Sequence, residues 1–143
     1  MPMKFVPIDY DKLNSRQQEN YNFAKVSAVL ADYGFTTIRL TDDWKGADFI
    51  AHHIDGETFL KVQLKGRLSF DTKYIDKDSY IAFFNEPDWY LYPHDEVLQK
   101  VQHNFEHTES WSKQGGYHYS NLSQELTDIL NPYKLVKSPT SQD

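Results

Sequence analysis

The chain has 143 residues, which is enough for one ordinary domain with a substantial core. Its hydrophobic content of 39% and charged content of 25% are typical of a globular protein and exclude a disordered chain. There is no cysteine, which excludes disulfide bonds and thiolate metal sites, and the net charge is −6.

The N-terminal residues lack the apolar run of a signal peptide, and no stretch approaches the roughly 18 apolar residues of a membrane span. We therefore expect a cytoplasmic protein. The first regular element predicted is a helix from about Ser15 to Tyr33, capped by Ser15 and Gln18 and stopped by Gly34. The next segment, Phe35–Thr41, is rich in β-branched residues and predicts a strand.

Two further strands are predicted on either side of an Asp-Gly turn. Asp55 and Gly56 separate the apolar-rich segments Ala47–Ile54 and Glu57–Lys65. Asp-Gly at such a place is typical of a two-residue hairpin turn of type I′, in which both central residues have positive φ. Ile54 would then lie opposite Glu57.

The second half of the chain predicts strands and helices in succession. Ser79–Phe84 and Asp88–Tyr92 have the composition of strands, and His94–Phe105 has that of a helix. Trp111–Tyr119, which contains two glycines, indicates a loop or irregular strand, and Ser123–Leu130 indicates a short helix. This order of elements predicts an α/β or α+β fold with a mixed sheet.

The hairpin register brings polar side chains together. It places Asp48 directly opposite Gln63, on the same face and with Cβ atoms about 4.5–5.5 Å apart. Lys65 points to that face about 6.6 Å farther along the strand. A carboxylate and an amide oxygen suit Mg²⁺, which prefers oxygen ligands, and an ammonium group can offset charge on a phosphoryl transition state. The alternative is a surface ion pair between Asp48 and Lys65.

Asp48, followed by a turn and then by Gln63-Leu64-Lys65, resembles the PD-(D/E)XK phosphodiesterase superfamily, the restriction-endonuclease-like fold. The resemblance covers roughly residues 15–92. It implies an αβββαβ-type core with a mixed sheet flanked by helices, and a Mg²⁺- or Mn²⁺-dependent endonuclease that hydrolyses DNA. Two positions depart from the motif: Gly46-Ala47 stands where Pro often precedes the Asp, and Gln63 stands where a second acid is commonest.

The resemblance also implies roles for individual residues. Asp48 and Gln63 would bind the metal, and Lys65 would stabilise the transition state. Glu19, which begins the apolar stripe of the first helix, matches the acid that many nucleases of this fold carry there. The alternative for Glu19 is a first-turn acid that the helix dipole favours.

The charges are segregated along the chain, which bears on the partner. Five basic residues lie between Lys61 and Lys77 and surround the candidate site, whereas six acids lie between Glu86 and Glu109. We expect DNA as the partner, with RNA as an alternative, and a homodimer or a second protein that supplies recognition.

Residues 1–136 are expected to form a single nuclease-like domain, and 137–143 a disordered tail. One rival is a catalytically inactive module of the same fold that binds nucleic acid or protein. The other is an acidic interaction protein that uses the stretch from Glu86 to Glu109.

Overall fold

The computed structural model of the protein describes residues 3–44 and 47–136, without the side chains of 42–44. Within these residues the strands are β1 (Phe35–Trp44), β2 (Ala47–His53), β3 (Phe59–Lys65), β4 (Ser69–Asp71), β5 (Ser79–Asn85), β6 (Asp88–Pro93), β7 (Gly116–His118) and β8 (Lys134–Leu135). The α-helices are α1 (Ser15–Ala31), α2 (His94–Val101), α3 (Glu109–Gln114) and α4 (Gln124–Leu130). The tail expected at 137–143 lies outside the described residues.

Six strands form one mixed sheet in the order β1-β2-β3-β5-β6-β8. β3 and β5 are parallel, and the other neighbouring pairs are antiparallel. β4 and β7 form a separate two-stranded sheet. The predicted α/β fold with a mixed sheet flanked by helices is therefore confirmed. The crossover from β3 to β5 contains β4 and a 3-10 turn at Thr72–Tyr74 in place of a helix.

The N-cap of the first helix lies one residue earlier than the sequence predicted. Asn14 is the N-cap, and its side chain accepts a hydrogen bond from the Gln17 backbone N–H while the Gln17 side chain accepts from the Asn14 N–H. This reciprocal pair is present in place of the predicted capping box of Ser15 and Gln18. It provides hydrogen-bond partners for two backbone N–H groups at the N-terminus of the helix. The helix ends at Ala31, short of Tyr33, and Gly34 follows with φ +86°.

The β2–β3 hairpin has the predicted register but a longer loop. Phe49 lies opposite Val62, as expected, and His53 N–H donates to Thr58 O at 2.9 Å. Of the two turn residues only Gly56 has positive φ, so the type I′ turn is wrong. Instead, the Asp55 carboxylate accepts hydrogen bonds from the backbone N–H of Glu57 and Thr58, each at 2.8 Å, and closes a four-residue loop.

The sheet separates two apolar clusters. Helix α1 packs on one face, and the completely buried residues there include Val26, Leu30, Phe49, Ala51 and Val62. α2, α4 and the β4–β7 pair cover the other face. Its buried residues include Phe70, Tyr74, Ile81, Phe83, Tyr92, Val101, Phe105 and Leu130. Among the described residues, no helix is long and apolar enough to cross a bilayer.

The later helices differ from prediction at their ends. α2 begins at His94 as expected but gives way to a 3-10 turn after Val101. Trp111 lies in α3, where a loop or irregular strand was predicted. The N-cap side chain of Thr108 and the left-handed Gly115 (φ 77°) delimit this short helix, whose six residues give too little periodicity to predict.

His94 ties α2 to β4. The side chain is completely buried, and its Nε2 accepts a hydrogen bond from the Asp71 N–H at 3.1 Å while Nδ1 lies 2.8 Å from Asp95 Oδ1. Because Nε2 accepts, Nδ1 carries the proton that is donated to Asp95. Burial lowers the pKa of His94. The neutral ring therefore holds the end of β4 at Asp71, directly before the 3-10 turn that contains Tyr74.

We expect the protein to lose stability as the pH falls below the ordinary histidine pKa of 6.5. The pKa of His94 is lower in the folded protein than in the unfolded chain. The stability that the neutral ring contributes is therefore present above pH 6.5, and it is lost as the pH falls through the pKa of the folded protein. In His94→Gln the amide oxygen can still accept from Asp71 without titrating. Urea denaturation should show a smaller decrease between pH 7.5 and pH 5 for the variant than for wild type. Equal decreases in the two proteins would contradict this role.

Candidate active site

Asp48 lies where strands β2 and β3 stop pairing through their backbones. Their register is formed from Phe49 to His52, and beyond it the Leu64 N–H donates to Asp48 Oδ2 at 2.8 Å. The carboxylate thus takes the place of a backbone carbonyl acceptor at the end of the hydrogen-bonded pairing between β2 and β3. Its position is therefore fixed by a hydrogen bond to the strand that carries Gln63 and Lys65.

A pocket of about 580 Å³ opens at this end of the sheet. We call it the Asp48 pocket. Its lining includes two acids, three basic residues and an aromatic ring: Glu19, Asp48, Arg16, Arg39, Lys65 and Phe23. The structure therefore brings Asp48, Lys65 and Glu19 to one cavity, as the sequence predicted. They come from β2, β3 and α1.

The environment of Asp48 opposes its charge. Burial raises the pKa of this carboxyl group, and the nearby Glu19 carboxylate acts in the same direction. The hydrogen bond from Leu64 and the cations of Lys65 and Arg39 lower the pKa but do not cancel the effect of burial. A carboxylate held in such surroundings is stabilised by any cation that enters the pocket.

Gln63 is placed differently from the other predicted residues. It does not line the Asp48 pocket among the residues described, and its Oε1 is buried without a hydrogen-bond partner. A buried amide oxygen without a partner is costly, because it has lost water and gained nothing in return. The adjoining Gln63–Leu64 peptide group donates to Asp48, so the free oxygen belongs to a residue in contact with the site.

Tyr74 is a site residue that the sequence analysis missed. It lies in the crossover after β3, and Lys65 Nζ is 5.5 Å from the centre of its ring. Its hydroxyl is buried without a hydrogen-bond partner. Burial raises the pKa of Tyr74, and Asp48 adds to the effect. Nothing in the local sequence indicated this, since the approach depends on how the crossover folds back over β3.

The basic residues of the pocket also differ from prediction. Of the five basic residues from Lys61 to Lys77, Lys65 is the one that lines the Asp48 pocket as described. Arg16 and Arg39 come instead from α1 and β1. Arg39 is held by a hydrogen bond to Asn20 and lies with its guanidinium 5.2 Å from the Phe23 ring centre.

The donor set can be tested for a divalent metal. Among residues 3–44 and 47–136, as far as their side chains are described, no group of three His, Asp or Glu residues could hold a metal ion. The Asp48 pocket instead offers the carboxylates of Asp48 and the exposed Glu19, while the unpartnered oxygen of Gln63 lies outside its described lining. This set fits Mg²⁺, which takes one or two carboxylates and draws its other ligands from water and phosphate.

Known proteins were compared with the chain. No family model and no curated protein matches the sequence. A Holliday junction resolvase from Archaeoglobus fulgidus is similar in structure, with a TM-score of 0.41 and 20% identity over 49% of this chain and 74% of that one. A bacterial homing endonuclease has a TM-score of 0.43 and 15% identity over 78% of this chain and 80% of that one.

We expect Asp48→Asn to be more stable than wild type at neutral pH in EDTA. Burial raises the pKa of Asp48 in the folded protein above its ordinary value of 3.8. The stability that the protonated carboxyl contributes is therefore fully present below pH 3.8, and it is lost as the pH rises through the pKa of the folded protein. The amide removes the buried charge and can still accept from Leu64. The melting temperature should rise by a few degrees at pH 7.5, and the gain should shrink toward pH 4.

Asp11→Asn, at an exposed aspartate outside the described lining of the pocket, serves as the control and should melt as wild type does at both pH values. An Asp48→Asn variant that melts at or below the wild-type temperature at pH 7.5 would show that the buried charge is already compensated in the folded protein.

Proposed function

We propose that the protein is a metal-dependent phosphodiesterase that hydrolyses DNA. The observation that carries the proposal is the Asp48 carboxylate, fixed by the Leu64 N–H in a pocket with Lys65 and Glu19. Gln63, whose side-chain oxygen is buried without a hydrogen-bond partner, precedes Leu64 on the same strand and would supply the neutral oxygen. Carboxylate, neutral oxygen and ammonium are the groups that phosphodiester hydrolysis requires at one place.

Asp48, Gln63 and Glu19 are the residues that would hold Mg²⁺ or Mn²⁺. When bound, such an ion polarises the phosphoryl oxygen and lowers the pKa of water. Burial of Asp48 favours this binding, because the charge that is costly in the free protein is compensated in the complex. Gln63 contributes no charge, so the site as a whole would bind the cation weakly.

Lys65 supplies the fixed positive charge. Its ammonium lies against the Tyr74 ring on one side and lines the Asp48 pocket on the other. A non-bridging phosphate oxygen in the pocket would accept a hydrogen bond from Nζ, and the developing negative charge would be stabilised there. Arg16 and Arg39 would bind neighbouring phosphates and position the strand without reading its sequence.

A catalytically inactive nucleic-acid-binding module on the same fold is the second candidate. It is favoured by the absence of three clustered metal-ligating residues among those described. This module would bind DNA through the same basic residues but without a requirement for metal. RNA in place of DNA, and a homodimer or recognition partner, stay predictions from the sequence.

Cleavage of plasmid and single-stranded DNA in Mg²⁺ or Mn²⁺ tests the proposal. Wild type should cleave and Asp48→Ala should not. Lys65→Ala should lower the rate by about 10²- to 10³-fold, which is the usual effect of removing one group that stabilises transition-state charge. The rates should be measured at saturating metal, so that a change in metal affinity is not mistaken for a change in catalysis.

Lys61→Ala is the matched control for Lys65→Ala, since Lys61 lies four residues earlier on the same strand and outside the described lining of the Asp48 pocket. It should cleave at nearly the wild-type rate. Cleavage that persists in Asp48→Ala would assign the activity to another site or a contaminant. Metal-independent DNA binding without cleavage of any substrate would favour the inactive module.

A further inference from the structure

A second pocket adjoins the Asp48 pocket and has a different chemistry. It measures about 550 Å³ and is lined by four aromatic rings, a lysine and a glutamate: Tyr10, Tyr21, Phe84, Trp89, Lys25 and Glu86. We call it the aromatic pocket. Asn22, Lys65 and Gly66 line both pockets, so the two cavities meet at the end of β3.

The walls of the aromatic pocket are built from paired rings. On the helix side, Tyr10 and Tyr21 meet edge to face at 5.2 Å, and the Tyr10 hydroxyl accepts a hydrogen bond from Asn22 Nδ2 at 2.8 Å. On the sheet side, Phe84 and Trp89 lie 5.3 Å apart on β5 and β6. These contacts hold the rings in place before any ligand arrives.

Two of these rings remain open to solvent. Tyr21 is 37% exposed and Phe84 is 39% exposed, although both are large aromatic side chains. Single exposed aromatics are common on protein surfaces, but these two face one cavity beside a candidate phosphodiesterase site. The pocket therefore offers flat apolar faces to a ligand that also reaches Lys65.

The charges around the rings suit a nucleotide. Lys25 Nζ lies 5.2 Å from the Tyr21 ring centre at the wall of the pocket, where it can meet a phosphate. Glu86, which is exposed, would repel a phosphate on its own side of the pocket but would accept a hydrogen bond from the amino group of a base. Phosphate is thus favoured at the Lys25 and Lys65 side, and a base is favoured between the rings.

We propose that the aromatic pocket binds one unstacked nucleobase of the DNA strand whose phosphate enters the Asp48 pocket. This inference rests on the proposed function and specifies its substrate class. A base in a duplex is stacked on its neighbours and cannot enter a cavity, whereas an unpaired base enters at little cost. The substrate is therefore DNA with an unpaired nucleotide beside the scissile phosphate: a single strand, a flap or a junction.

Binding in EDTA tests this inference without any requirement for cleavage. Fluorescence anisotropy of a labelled single-stranded oligonucleotide and of the same sequence as a duplex gives the two affinities. Wild type should bind the single strand more tightly. Phe84→Ala and Tyr21→Ala should each weaken single-strand binding by about fivefold or more, since stacking on one aromatic ring typically contributes that much.

Two further variants make the result specific. Phe84→Trp keeps an aromatic face and should bind as wild type does. Phe59→Ala removes an exposed ring of β3 that stacks on His52 outside the aromatic pocket, and should change nothing. Single-strand affinity that is unchanged in Phe84→Ala and Tyr21→Ala, or equal affinity of wild type for single strand and duplex, would overturn the inference.

The failure of this inference and that of the proposed function give different results. If Phe84→Ala weakens single-strand binding but no metal-dependent cleavage is found, nucleobase binding in the aromatic pocket is supported and the proposed phosphodiesterase activity is contradicted. If Lys65→Ala abolishes cleavage while Phe84→Ala and Tyr21→Ala leave single-strand affinity unchanged, the proposed phosphodiesterase activity is supported and the aromatic pocket has no role in substrate binding.

Discussion

The pairing of β2 with β3 is the constraint on which the candidate site depends. Phe49 lies opposite Val62, and both are completely buried. Because side chains alternate along a strand, a slip of one residue would turn Phe49 out of the core and carry Asp48 away from the Leu64 N–H. The apolar face of the hairpin therefore fixes the position of the carboxylate, and the core and the site share one register.

Several features at this end of the sheet are costly to the free protein. The Asp48 charge is opposed by burial, and the Gln63 amide oxygen and the Tyr74 hydroxyl are buried without partners. Unsatisfied polar groups of this kind are rare in folded proteins. Asp48 and Tyr74 both lie near Lys65. Such groups are expected at a site whose ligand supplies the missing contacts, at some cost to stability.

The sequence predicted the parts of this structure that depend on local pattern. The position of Asp55 and Gly56 predicted the β2–β3 register although the turn type was wrong, because the observed four-residue loop has the same centre as the expected two-residue turn. Tyr74, Arg16 and Arg39 were not predicted as site residues, because their positions depend on how the crossover, α1 and β1 pack at this end of the sheet. The aromatic pocket was missed for the same reason, since α1 and the β5–β6 hairpin meet only in the folded chain.

The proposed function depends on the binding of a divalent metal by Asp48 and Gln63 together. Calorimetric titration of wild type, Asp48→Ala and Gln63→Glu with Mn²⁺ tests it directly. We predict weak binding by wild type, none by Asp48→Ala, and tighter binding by Gln63→Glu, because a carboxylate oxygen replaces a neutral one. Absence of binding in wild type, with no gain in Gln63→Glu, would contradict the metal site.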